Sequence, residues 1–101
     1  MGKIFVNQDV LKIELKYDIL PGAVEKAWIK FRNPDWEIGF LPAPAVHNET
    51  GQSYYYIFEP GETLERYGSA GEWRFWLYLE LVDVRIIPGE SVEVMVYKEG
   101  Q

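Results

Sequence analysis

The 101-residue chain contains no cysteine, a single histidine, and 10 basic residues against 16 acidic ones. Each shortage removes a class of function. Without cysteine there is no disulfide framework, no thiolate metal site and no thiol nucleophile, so a core must hold by packing alone. With His47 as the only histidine, a Ser or Thr nucleophile has one candidate base. That residue stands in the polar stretch His47-Asn48-Glu49-Thr50-Gly51 with no orienting partner in view, and it is expected in a surface loop. His47 and Glu49 could supply two metal ligands, but no spacing signature adds a third and fourth, so no metal is expected. The net charge of −6 and a pI near 4.7 make nucleic acid a poor partner, because phosphate binding relies on clustered Lys and Arg. Long hydrophobic runs are missing too. No window approaches about 18 apolar residues, so no membrane span is expected. Met1 to Asp9 turns polar too soon for a signal peptide, which makes cytoplasmic synthesis the expectation.

Two further catalytic patterns are incomplete in this chain. Gly61, Gly68 and Gly71 lack the spacing and the following Lys of a phosphate-binding loop. Glu62, Glu65 and Glu72 lie close enough in sequence to suggest paired carboxylates, but such a pair needs a fixed separation in a cleft, and a charged corner loop is the commoner arrangement. No catalytic residue, cofactor or enzymatic activity is assigned.

Hydrophobic residues make up 48% of the chain and aromatics 16%, enough to fill the core of one domain spanning residues 1–101. Their order alternates. From Gly71 to Leu81, Trp73, Phe75, Leu77, Leu79 and Leu81 fall on one face, while Arg74, Trp76, Tyr78 and Glu80 fall on the other. Side chains of a strand point alternately to its two faces, so this is a central strand with one face in a core. The same period places Leu11, Ile13, Leu15 and Tyr17 opposite Lys12, Glu14 and Lys16. It places Ala27, Ile29 and Phe31 opposite Trp28, Lys30 and Arg32. Tyr54, Tyr56 and Phe58 oppose Tyr55 and Ile57, and Val92, Val94 and Val96 oppose Glu93, Met95 and Tyr97.

Ile4 to Val6 adds a short first strand, and residues 82–87 either extend the central strand or return as a hairpin arm. Between these segments stand turn signals: Asp18 to Gly22, Asn33-Pro34-Asp35 and Pro88-Gly89-Glu90. Residues 36–47 look extended, but Pro42 and Pro44 cannot donate to a ladder, so this is an edge strand or an irregular crossing. One short helical turn is expected near residues 61–67, with Leu64 turned inward at a corner. The sum is an all-β sandwich of roughly seven strands. Trp73, Phe75, Phe31, Tyr17 and Phe58 are its expected core aromatics.

Three segments together resemble a known group: Val24 to Asp35, Ala70 to Tyr78, and Pro88 to Val96. A Lys-aromatic-x-x-Pro-Asp strand, a Gly-x-Trp strand and a Gly-Glu-x-Val strand in that order resemble small immunoglobulin-like structural proteins of tailed bacteriophages and prophages. The likeness spans about residues 10 to 98. The chain departs from the group where Trp36 follows Pro34-Asp35, a place usually held by glycine. The resemblance implies an immunoglobulin-like antiparallel sandwich and a non-enzymatic virion or assembly component, made in the host cytoplasm and located in the virion. Its partners would be itself or other virion proteins.

In such a topology the strand ending at Arg32 and the strand starting near Glu72 are neighbours. Trp28, Lys30, Arg32, Arg74, Trp76 and Tyr78 then share an outer face, the composition of an interaction hot spot. Either a partner covers this strip or residues 36–46 fold over it. The alternative reading is a carbohydrate-binding module that stacks sugars on Trp28, Trp76 or the run Tyr54-Tyr55-Tyr56, with polysaccharide as partner.

Overall fold

The alternation of apolar and polar residues becomes a two-sheet structure in the computed structural model, which describes residues 3–17, 21–50 and 52–100. In chain order the strands are β1 (Ile4–Phe5), β2 (Lys12–Lys16), β3 (Val24–Arg32), β4 (Ile38–Phe40), β5 (Val46–Asn48), β6 (Ser53–Ile57), β7 (Gly71–Leu81), β8 (Ile86–Pro88) and β9 (Val92–Tyr97). The larger sheet has the order β1-β9-β7-β3-β4, with β8 beside the second half of β7. The smaller has the order β2-β6-β5. The chain is an all-β sandwich. All pairings are antiparallel except that of β1 with β9, which is parallel, a departure from the purely antiparallel expectation.

Between the sheets lie the inward residues of both. Ile29, Phe31, Trp73, Phe75, Leu77 and Leu79 face Ile13, Leu15, Tyr54, Tyr56 and Phe58 in one continuous apolar cluster. Trp73 is fully buried, stacks on Phe75 at 5.9 Å and meets Phe31 at 5.6 Å, and its indole N–H donates to the Ser69 carbonyl at 2.8 Å. A buried indole therefore costs no unpaired donor. The helical turn is a 3₁₀ segment, Leu64–Arg66, at the corner between β6 and β7, and Leu64 is wholly enclosed.

Several sequence expectations need correction. Residues 36–47 divide into two strands on different sheets: β4 ends at Phe40, and the chain crosses through Leu41 to Ala45 into β5. The prolines of this crossing deny it ladder donors, while Leu41 is fully buried and anchors it on the core. His47 is not in a loop. It lies in β5 opposite Tyr54, half-buried, with Nε2 at 2.5 Å from the Tyr17 hydroxyl. Tyr17, expected as core, sits just beyond the end of β2 and is only half-buried, because its hydroxyl turns to His47 at the sheet margin.

Residues 86–88 form a hairpin arm, not an extension of β7. The pairing along β7 then slips by one residue between β8 and β9, a bulge that leaves Glu90 and Ser91 outside the ladder. The turn expected over Asp18 to Gly22 falls partly on 18–20, outside the described residues; Pro21–Ala23 forms a 3₁₀ turn. Gly51, within the expected polar turn after His47, also lies outside them. Among the described residues no helix is long and apolar enough to cross a membrane.

Candidate interaction face

The pairing of β3 with β7 decides which outward residues meet. Trp28 stands opposite Tyr78, Lys30 opposite Trp76, and Arg32 opposite Arg74. All six residues singled out from the sequence therefore share one face of the larger sheet, and all six are half-buried. The partner face of the same strands is core, so this face cannot turn inward without inverting both strands.

β4 carries the face one strand further. Phe40 pairs with Lys30 and Ile38 with Arg32. Phe40 packs edgewise on Trp28 at 5.8 Å and on Tyr78 at 5.3 Å. The remaining residues 41–46 leave for the other sheet, so this segment extends the strip sideways instead of lying across it. Phe40 is 45% exposed and Ile38 61% exposed.

Charge is organised around these rings. The Lys30 ammonium lies 4.9 Å from the Phe40 ring centre, 4.8 Å from that of Tyr78 and 5.9 Å from that of Trp76. A cation over aromatic faces gains about 0.5–1 kcal/mol at an exposed site, enough to hold the side chain flat on the strip. Among the described residues no carboxylate is within ion-pair distance of Lys30. Lower on the face, Glu72 lies 3.6 Å from Arg32 and 3.8 Å from Arg74, and Arg74 also reaches Glu93 at 3.1 Å. These are partly exposed pairs, each contributing about 0–1 kcal/mol.

Trp36 is the residue that the outward alternation did not reveal. It ends the β3–β4 hairpin, where Pro34-Asp35 form the centre of a turn closed by the Trp36 N–H on the Asn33 carbonyl at 3.0 Å. The residue after such a turn takes a left-handed conformation, which explains why glycine suits it. Trp36 has φ +67° and is 73% exposed, with its ring 3.9 Å from the Arg32 guanidinium. The one sequence signal was the departure from the Pro-Asp-Gly pattern.

Asn33 holds this hairpin. Its side-chain oxygen accepts from the Asp35 and Glu37 N–H groups, both at 3.0 Å. Its amide donates to Glu37 Oε1 at 2.9 Å and to the Tyr67 carbonyl at 2.8 Å. At 1% exposure it fastens the site edge to the corner that precedes β7.

Elsewhere the titratable groups are tied to the scaffold. Hydrogen bonds from Ser53 at 2.5 Å and Asn48 at 2.8 Å hold the Glu14 carboxyl down to about 2, with Lys12 at 3.3 Å acting in the same direction. Burial, followed by the neighbouring Glu62 carboxylate, raises the Tyr56 and Tyr67 hydroxyls, which donate to Glu62 at 2.8 and 3.2 Å. Glu62 is thus engaged at the corner, Glu65 is exposed, and Glu72 faces the arginines; the three carboxylates do not share a partner. Among the described residues no group of three His, Asp or Glu side chains could hold a metal ion. Tyr54 and Tyr56 point into the core, so the tyrosine run presents only Tyr55 outward, beneath Lys12 at 4.8 Å.

Comparison with protein-family models, curated proteins and solved structures gave no match.

Proposed function

We propose that the chain is a non-enzymatic interaction domain that binds a protein partner through the outer face of its larger sheet. The observation that carries this reading is the join of Trp28, Tyr78, Trp76 and Phe40 into one strip with Lys30 lying over it. Trp, Tyr and Arg are the residues that dominate binding energy at protein interfaces. The exposed Trp36 ring, resting on the Arg32 guanidinium at the turn end of the strip, supports the same reading.

The finer reading is an immunoglobulin-like virion or assembly component. The order β9-β7-β3 facing β2-β6-β5 supports it, because immunoglobulin-like sandwiches join their third, sixth and seventh strands in one sheet. Sedimentation of the wild-type chain and of a Trp28→Ala/Trp76→Ala variant tests the proposal, each alone and mixed with the protein products of the genes that neighbour its own. The variant should keep its strand spectrum and lose the complex. Equal complex formation by both would remove this face from consideration. Binding to a glycan array in place of protein would favour the carbohydrate reading.

A further inference from the structure

The face just described ends at an open backbone edge. Asn33 N–H donates to the Glu37 carbonyl at 3.0 Å and Leu41 N–H to the Ile29 carbonyl at 2.9 Å, with Phe31 opposite Gly39 between them. In an antiparallel ladder the residues that face the neighbouring strand alternate with residues whose N–H and C=O point away. The outward-pointing residues of β4 are therefore Ile38 and Phe40. Among the described residues nothing hydrogen-bonds to their backbone groups.

Sheet edges are usually guarded by charged side chains, proline or very short strands. The other lateral strands of this sheet follow that rule: β1 has two residues, and β8 places Pro88, which has no N–H, at an outward position. β4 is as short as β8, three residues, but it has no proline or lysine within it and presents Ile38 and Phe40 instead. It is an edge left open to pairing.

Its electrostatics choose among occupants. Directly behind Phe40 stands Lys30, and behind Ile38 stands Arg32. A side chain opposite Phe40 on an added strand would have its Cβ about 5 Å from that of Phe40. The Lys30 ammonium already lies over the Phe40 ring at 4.9 Å, within reach of a carboxylate placed there, and among the described residues it has no acidic partner of its own. A second copy fits poorly. Pairing β4 with itself would set Ile38 against Phe40 about Gly39, bring two Lys30 ammonium groups to one seam with no carboxylate paired to them among the described residues, and join two chains of net charge −6.

We infer that β4 accepts an extended, acidic segment of a partner protein as an added strand, with the carboxylate opposite Phe40 directed at Lys30. Backbone hydrogen bonds to Ile38 and Phe40 would supply attachment, and the alternate side chains specificity, as in other strand-addition complexes. This rests on the interaction-face reading and names the partner's form and charge.

The test is a titration of the full isotope-labelled chain, followed by NMR, with a capped heptapeptide of alternating threonine and glutamate. The amide signals of Ile38 and Phe40 should shift on binding, and their hydrogen exchange should slow. The threonine–lysine counterpart should bind about tenfold more weakly, although the protein as a whole is acidic. Lys30→Gln should narrow that preference about threefold. A threonine–glutamate peptide with alternate amides N-methylated keeps the charge but cannot form a ladder, and it should not bind.

Equal or tighter binding of the lysine peptide, full binding of the N-methylated peptide, or silent Ile38 and Phe40 amides would each overturn the proposal. Shifts confined to the Trp28 and Trp76 indoles would overturn strand addition while leaving the aromatic face in place. Concentration-dependent shifts at Ile38 and Phe40 without peptide would assign the edge to a second copy instead.

Discussion

Asn33→Ala isolates what one buried side chain contributes to the placement of the whole hairpin. The wild-type side chain makes four hydrogen bonds between 2.8 and 3.0 Å: two to Glu37, one to Asp35 and one to Tyr67. A protein hydrogen bond has a net worth of about 1 kcal/mol, because water competes for both partners in the unfolded chain. Asp35 and the Glu37 side chain are exposed, so water recovers part of what they lose. The Tyr67 carbonyl, on a half-buried residue, loses its partner with less access to water. The expected destabilisation is therefore about 2–3 kcal/mol. For a domain of this length that corresponds to a fall in Tm of about 10–20 °C.

Urea unfolding followed by tryptophan fluorescence measures the loss directly. The midpoint should fall while its slope stays constant, since the surface exposed on unfolding is unchanged. Asn33→Asp makes the control: it keeps an acceptor for the Asp35 and Glu37 N–H groups but sets a carboxylate beside the Glu37 side chain and the Tyr67 carbonyl. It should be at least as destabilising at neutral pH. A loss below about 0.5 kcal/mol in Asn33→Ala, the range of an ordinary surface substitution, would refute the assignment of Asn33 as the hairpin's anchor.

Trp36→Gly removes a side chain from a left-handed position, releasing about 1–2 kcal/mol of backbone strain against the loss of about 0.5–1 kcal/mol of contact with Arg32 and the greater freedom of glycine in the unfolded chain. Stability by urea midpoint should change by less than about 1 kcal/mol, while affinity for a partner on the strip falls. Glu14→Gln tests the depressed carboxyl. A carboxyl with a folded value of about 2, below its ordinary 4.5, stabilises the fold above pH 4.5, and that contribution is lost as pH falls from 4.5 toward 2. The wild-type Tm should therefore drop more steeply over this window than that of the variant, as read from thermal scans by circular dichroism. Gly68→Ala would place a Cβ 2.7 Å from Asn33 Cβ and 3.0 Å from Trp73, so the thermal midpoint should report about 1–3 kcal/mol of destabilisation. Gly22→Ala meets nothing within 4 Å and should stay within about 0.5 kcal/mol of wild type.

Period-two alternation was enough to separate the two faces of β3 and β7. Ala27, Ile29 and Phe31 are core, and Trp28, Lys30 and Arg32 are outward, because a strand offers each residue only two directions. The same local rule placed Tyr54 and Tyr56 inward and Tyr55 outward. Pro42 and Pro44 likewise showed that residues 36–47 could not form a central strand.

Tertiary structure decided what these local rules leave open. Alternation does not say which strand pairs with which edge, so the split of residues 36–47 between two sheets, the parallel contact of β1 with β9 and the place of His47 beside Tyr17 all depend on long-range pairing. The same holds for the site. The sequence determined that Trp28 and Trp76 turn away from the core. Only the β3–β7 and β3–β4 registers decided that Lys30 lies among Phe40, Tyr78 and Trp76, and that the strip ends at an unpaired edge. The physical reason is range: side-chain direction follows from the backbone of one strand, whereas cross-strand neighbours follow from where the hydrophobic core brings distant strands together.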